Sequence, residues 1–153
     1  MELYRRPITI LMADDDEEDC QLTKEAWDEN RLANDLRFVG DGEELMENLQ
    51  HRGRYSDPAY SPAPGLILLD LNMPKKDGRE ALQEIKASPE LRRIPIVVLT
   101  TSKAEEDILR SYDLGASSYI TKPVTFEGLV KTVKHLEHYW FEVVELPAAS
   151  PVS

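Results

Sequence analysis

Carboxylates stand at two places where an apolar run stops. Asp14, Asp15 and Asp16 follow Ile8-Thr9-Ile10-Leu11-Met12-Ala13, and Asp70 closes Leu66-Ile67-Leu68-Leu69. Acids gathered at the ends of two buried strands repel and resist ionisation unless a cation sits among them. Hard carboxylate oxygens with room for water around the ion suit Mg²⁺ better than zinc or copper. Two further runs end in polar residues: Thr100-Thr101 follows Ile96-Val97-Val98-Leu99, and Lys122-Pro123 follows Ser118-Tyr119-Ile120-Thr121. A metal, an ammonium and a hydroxyl around one further carboxylate are what phosphoryl transfer to a side chain requires. Charge spread over the phosphoryl oxygens must be met while an acceptor attacks in line. The carboxylate of Asp70 can be that acceptor, giving an acyl phosphate.

Such residues need a scaffold that carries strand ends to one place. Short β-rich runs alternate with amphipathic stretches along the whole chain, the pattern of an α/β parallel sheet with helices on both faces. Strands are expected at Ile8–Ala13, Leu36–Val39, Leu66–Leu71, Ile94–Thr100 and Ser118–Thr121. The third and fourth are apolar on consecutive residues and so are central, covered on both sides. Helices are expected near Glu18–Arg31, Glu43–His51, Arg79–Ala87, Ala104–Asp113 and Phe126–Val144, with Leu45, Met46 and Leu49 on one face of the second and Ala81, Leu82 and Ile85 on one face of the third. Asp41-Gly42 and Asp77-Gly78 supply turns, Ser102 with Glu105 reads as a capping box, and Gly115 closes the fourth helix. Asp16 belongs with Glu17, Glu18 and Asp19 to a solvated helix start. Residues 52–65 hold three prolines and two glycines and read as a long surface loop without regular structure. In an open parallel sheet, ligands gather at the carboxyl ends of the strands, where all four polar ends would meet.

With 153 residues and 41 % hydrophobic content, one buried core is expected. No stretch has the length of a membrane span or the apolar core of a signal peptide, and Cys20 is the single cysteine, so a cytoplasmic protein without disulfides is expected. Cys20 reads as a small apolar helix residue. A net charge of −11 disfavours nucleic acid and anionic membrane surfaces as partners. His51, His135 and His138 have no ligand partners at suitable spacing and read as surface residues.

From Ile8 to Leu136 the ordered motifs resemble the receiver domain of two-component response regulators, the CheY-like fold. The resemblance implies a flavodoxin-like, doubly wound five-stranded parallel sheet with five helices. It implies that Asp70 accepts phosphate from a histidine kinase. Asp15 would bind Mg²⁺ directly and Asp14 mainly through water, with Asp70 and the backbone carbonyl of Asn72 completing the protein ligands. Thr100, with Thr101 beside it, matches the switch hydroxyl that bonds a phosphoryl oxygen. Lys122 matches the lysine that pairs with another, Pro123 the cis proline after it, and Tyr119 the aromatic rotamer switch. Such a protein is a signalling module that catalyses its own phosphorylation and dephosphorylation, not an enzyme acting on other substrates.

Residues 1–7 form a lead-in, 8–136 the receiver domain, and 137–153 an aromatic extension with no room for an output domain. Tyr139, Trp140 and Phe141 are consecutive, so on a helix one of them must face outward. A homodimer would bury it. The extension, the loop at 52–65 and the run Pro74-Lys75-Lys76-Asp77-Gly78-Arg79-Glu80 resemble stand-alone regulators that partner phytochromes, which makes a phytochrome the candidate kinase. Two other readings stay open: a pseudo-receiver that only docks, and a Mg²⁺-dependent hydrolase with an aspartyl-phosphate intermediate. The hydrolase would want a second acid where Asn72 stands.

Overall fold

The computed structural model of the chain describes residues 8–57, 61–71, 73, 75–101, 103–111 and 115–138. Five strands and five helices alternate: β1 (Ile10–Ala13), α1 (Glu17–Glu29), β2 (Leu36–Val39), α2 (Gly42–Leu49), β3 (Leu66–Asp70), α3 (Gly78–Ala87), β4 (Ile96–Thr100), α4 (Lys103–Ser111), β5 (Ser118–Thr121) and α5 (Phe126–Leu136). All strands are parallel in the order β2-β1-β3-β4-β5. The chain steps outward from β1 to β2 and then returns past β1 to β3. Strand order therefore reverses beside β1, and the ends of β1 and β3 flank the reversal.

Alternation along the strands sorts the core into two layers. Leu11, Ala13, Ile67, Leu69, Ile96 and Val98 pack with Leu45, Met46 and Leu49 of α2 and Ala81, Leu82 and Ile85 of α3. On the opposite face Ile10, Met12, Leu66, Leu68, Val97 and Leu99 pack with Ala26 and Trp27 of α1 and Val133 and Leu136 of α5. Every residue of β1, β3 and β4 is buried, which is why these runs show no polar alternation. Each of these side chains fills closely packed space, so Ile67→Ala would cost about 2–5 kcal/mol.

Side chains at the helix starts satisfy orphaned backbone N–H groups. Asp16 caps α1, Asp41 caps α2, Thr125 caps α5, and Asp77 forms a reciprocal capping box with Glu80 at α3. The capping box expected at Ser102 falls on a residue outside those described; Glu105 accepts instead from the Thr101 N–H at 3.0 Å. The regular α-helix of α5 ends at Leu136, capped by Glu137, and the part of the expected helix from 139 to Val144 lies outside the described residues.

The stretch at 52–65 differs from expectation in carrying one 3₁₀ turn, Gly53–Tyr55. That turn is tied to α2, because Glu44 accepts from the Tyr55 hydroxyl, from Arg54 and from the Gly40 N–H. His51, expected as a surface residue without a partner, is half-buried with its Nδ1 3.1 Å from the Ser61 hydroxyl. Ser61 is itself buried and donates to the Tyr55 carbonyl. The turn's Tyr55 carbonyl holds Ser61 beside His51, which spacing along the chain does not reveal. Among the described residues no helix is long and apolar enough to cross a membrane.

Candidate functional site

Asp14 follows the last residue of β1, Asp70 ends β3, Thr100 ends β4, and Lys122 follows β5. Their backbones are fixed by the sheet: the Asp14 N–H donates to Val39 O at 3.0 Å and the Lys122 N–H to Thr100 O at 2.8 Å. Asp14 and Asp70 are buried, Asp15 is exposed, and carboxylate oxygens of all three lie within 4.8 Å of one another. The Lys122 ammonium lies between the two buried acids, donating to Asp14 Oδ2 at 3.1 Å and Asp70 Oδ2 at 3.0 Å. Its third partner is Asp19 Oδ2 at 2.9 Å.

Burial has a cost that shows in the protonation of these groups. Desolvation pushes the Asp14 carboxyl up to about 6, against the lowering effect of the Asp16 N–H and Lys122 and with a further push from the charge of Asp70. Burial alone would lower Lys122, but hydrogen bonds to Asp19 and Asp70 and the charge of Asp14 outweigh it and hold the ammonium well above its ordinary range. Asp14, Asp15 and Asp70 thus leave a negative cleft of hard oxygen donors beside one ammonium. That donor set fits a small divalent cation. Asn72, expected to lend its backbone carbonyl to the ion, lies outside the described residues.

The loop after Asp70 is held by close backbone approach. A Cβ on Gly78 would meet Leu71 Cα at 2.5 Å and Asp70 O at 2.7 Å, so only glycine lets α3 start against the end of β3. A Cβ on Gly42 would meet the Lys76 carbonyl oxygen at 2.0 Å, which seats the same loop on the start of α2. Leu71 and Met73 are buried and anchor it from within.

The family model described as "Response regulator receiver domain" matches residues 10–134. The chain belongs to that family. It is 46 % identical to the response regulator Rcp1 of Synechocystis sp. (strain ATCC 27184 / PCC 6803 / Kazusa) over 143 residues, covering 94 % of this chain and 95 % of the relative. Among solved structures, the phosphorylated cyanobacterial phytochrome response regulator RcpA superposes with a TM-score of 0.83 at 43 % identity, over 94 % of this chain and all (100 %) of that one. The Mn²⁺-bound form of Rcp1 superposes with a TM-score of 0.80 at 46 % identity, over 93 % of this chain and 100 % of that one.

In this receiver domain the structure brings together Asp14, Asp15, Asp70 and Lys122 as expected from the strand ends. Thr100 is buried at the end of β4, its hydroxyl 3.4 Å from the Ile120 carbonyl. Thr101 is exposed, and its hydroxyl lies 3.3 Å from Glu105. Tyr119 is buried in the layer with Ile96 and Val98. Tyr139, Trp140 and Phe141 lie outside the described residues. The cis bond expected at Pro123 is not present, since no peptide bond among the described residues is cis. The trans isomer is intrinsically favoured by about 0.5–1 kcal/mol, and Lys122 reaches all three acids with it.

Two participants were not anticipated. Asp19, expected with Glu17 and Glu18 in a solvated helix start, lies four residues before Thr23 on the face of α1 that also buries Ala26 and Trp27. Extending that stripe backwards by one turn points Asp19 at the sheet. Glu106 of α4 is buried and accepts from the Thr121 hydroxyl at 2.8 Å, joining α4 to the residue before Lys122. Cys20 is half-buried beside the same acids; burial first, then the charges of Asp14, Asp19 and Asp16, push its thiol up to about 12.

Proposed function

We propose that this receiver accepts a phosphoryl group on Asp70 from a histidine kinase, with Mg²⁺ held by Asp14, Asp15, Asp70 and the Asn72 carbonyl. The observation that carries the reading is the Lys122 ammonium lying between the buried carboxylates of Asp14 and Asp70. A cation already shared by the acceptor and a metal ligand is placed to meet the charge of an arriving phosphoryl group. When bound, the ion offsets carboxylate repulsion and draws charge from the phosphoryl oxygens. One Asp70 oxygen bonds to phosphorus as the bond from phosphorus to the donor breaks, and the donor atom leaves with the electron pair. Asp70 then no longer offers Lys122 a free carboxylate, and the ammonium turns to a phosphoryl oxygen. Thr100 offers its hydroxyl to another, with Thr101 beside it at the cleft mouth and Tyr119 behind as the group that changes position.

The same reading takes the protein as a cytoplasmic regulator with a receiver over residues 8–136 and an aromatic extension from 137. Its likeness to RcpA, a cyanobacterial phytochrome response regulator, supports a phytochrome as the kinase partner. Tyr139, Trp140 and Phe141 are assigned to a homodimer contact. To test the acceptor role, the purified chain is mixed with acetyl phosphate, with Mg²⁺ or with EDTA, and separated on a phosphate-affinity gel. A shifted band that requires both Mg²⁺ and Asp70, and is absent in Asp70→Asn, is expected. An Asp70→Asn variant that shifts as strongly as the parent refutes the assignment.

A further inference from the structure

We propose that Asp19 is a positioning residue that holds Lys122 while the ammonium changes partners during phosphoryl transfer. This rests on the reading of Asp70 as phosphoacceptor. An ammonium has three N–H donors, and Lys122 has one carboxylate for each: Asp14 at 3.1 Å, Asp70 at 3.0 Å and Asp19 at 2.9 Å. Two of these acids are committed elsewhere during the reaction, Asp14 to the metal and Asp70 to phosphorus. Asp19 does not belong to the cluster whose oxygens converge on a metal position, so it is the partner that stays.

Its placement is well supported. The Asp19 N–H lies 3.3 Å from Asp16 Oδ1 at the start of α1, and the Asp19 carbonyl accepts from the Thr23 hydroxyl at 2.8 Å. The first turn is thereby pinned at both ends, on a helix whose Trp27 is buried in the core. Lysine, a compact charge on a flexible stem, keeps a fixed position only where its tip is bonded. Lys122 is secured at its backbone by Thr100 O and at its tip by Asp19. The competing view is that Asp19 merely adds negative charge at a helix N-terminus, alongside Glu17 and Glu18. That effect would not depend on Lys122, and this separates the two.

The test uses the full chain with acetyl phosphate as donor at saturating Mg²⁺, reading the phosphorylation rate of the parent, Asp19→Asn, Asp19→Ser, Asp19→Glu, Lys122→Gln and Asp19→Asn with Lys122→Gln. Both neutral variants suit a first helical turn, so the result does not hang on the folding of one of them. Asp19→Asn and Asp19→Ser should slow the reaction about tenfold, the order of one charge-assisted hydrogen bond. Asp19→Glu should recover most of the rate. In the Lys122→Gln background the Asp19→Asn change should matter by less than about twofold. Neutral variants that match the parent, or an equal slowing with and without Lys122, overturn the proposal. A parent that takes no phosphate, or an Asp70→Asn variant that does, refutes the acceptor reading and this proposal with it. A labelled parent with unaffected Asp19 variants refutes this proposal alone.

Discussion

Asp14 should make the metal-free protein lose stability as pH rises. Its carboxyl is raised from 3.8 to about 6 in the folded state, chiefly by burial. A group raised in this way favours folding fully below its unfolded value, and the contribution is lost as pH climbs through the folded value. The shift of about 2 pH units corresponds to about 3 kcal/mol, of which about 2 kcal/mol falls between roughly pH 4.5 and pH 8. Lys122 adds no slope there, because a raised lysine contributes fully at any pH below its unfolded range. Glu44, lowered in spite of burial by the Tyr55 hydroxyl, the Gly40 N–H and Arg54, loses its contribution only as pH falls below that window. Urea unfolding with EDTA present, followed by helical circular dichroism, should therefore give a midpoint that falls from about pH 4.5 to about pH 8. Asp14→Asn should flatten the fall, and saturating Mg²⁺ at the upper end should reverse it, since the ion binds the ionised folded site. A midpoint that rises across the window without metal, or an Asp14→Asn variant that keeps the full slope, refutes the assignment of the strain to Asp14.

Gly78→Ala should destabilise the chain by about 1–3 kcal/mol in the same unfolding assay, since its Cβ would press on backbone atoms of Leu71 and Asp70 that cannot move aside cheaply. The Cys20 thiol, pushed up to about 12 by burial and its acidic neighbours, should react with iodoacetamide at neutral pH slower in the folded than in the unfolded protein. The difference should be on the order of a hundredfold, read by mass spectrometry. In sedimentation at micromolar concentration the full chain should be a dimer and a version ending at Leu136 a monomer; a dimer that survives truncation removes the aromatic extension from the contact.

The sheet was legible because β3 and β4 are continuous apolar runs, and only strands covered on both faces read that way. Asp14 and Asp70 were legible because each sits directly after an apolar run, so their meeting follows from parallel topology, whereas Lys122 follows the partly buried β5 and was legible from its place before Pro123. Side-chain partnership was less accessible. Asp19 stood in a row of acids whose charge masked its place on the buried stripe of α1. His51 and Ser61 meet beside the 3₁₀ turn whose Tyr55 carbonyl accepts from Ser61, a contact that spacing along the chain does not report. Glu106 pairs with Thr121 across two elements, and no periodicity reports such a bond.

The central claim is that Asp70 carries the phosphoryl group. Brief treatment with acetyl phosphate and Mg²⁺, followed by reduction of the acyl phosphate with borohydride and peptide sequencing by mass spectrometry, locates the acceptor directly. The expected result is conversion of Asp70 to homoserine, with Asp14, Asp15 and Asp19 unchanged. Conversion at another aspartate, or a phosphate on serine, threonine or histidine with Asp70 unmodified, contradicts the account.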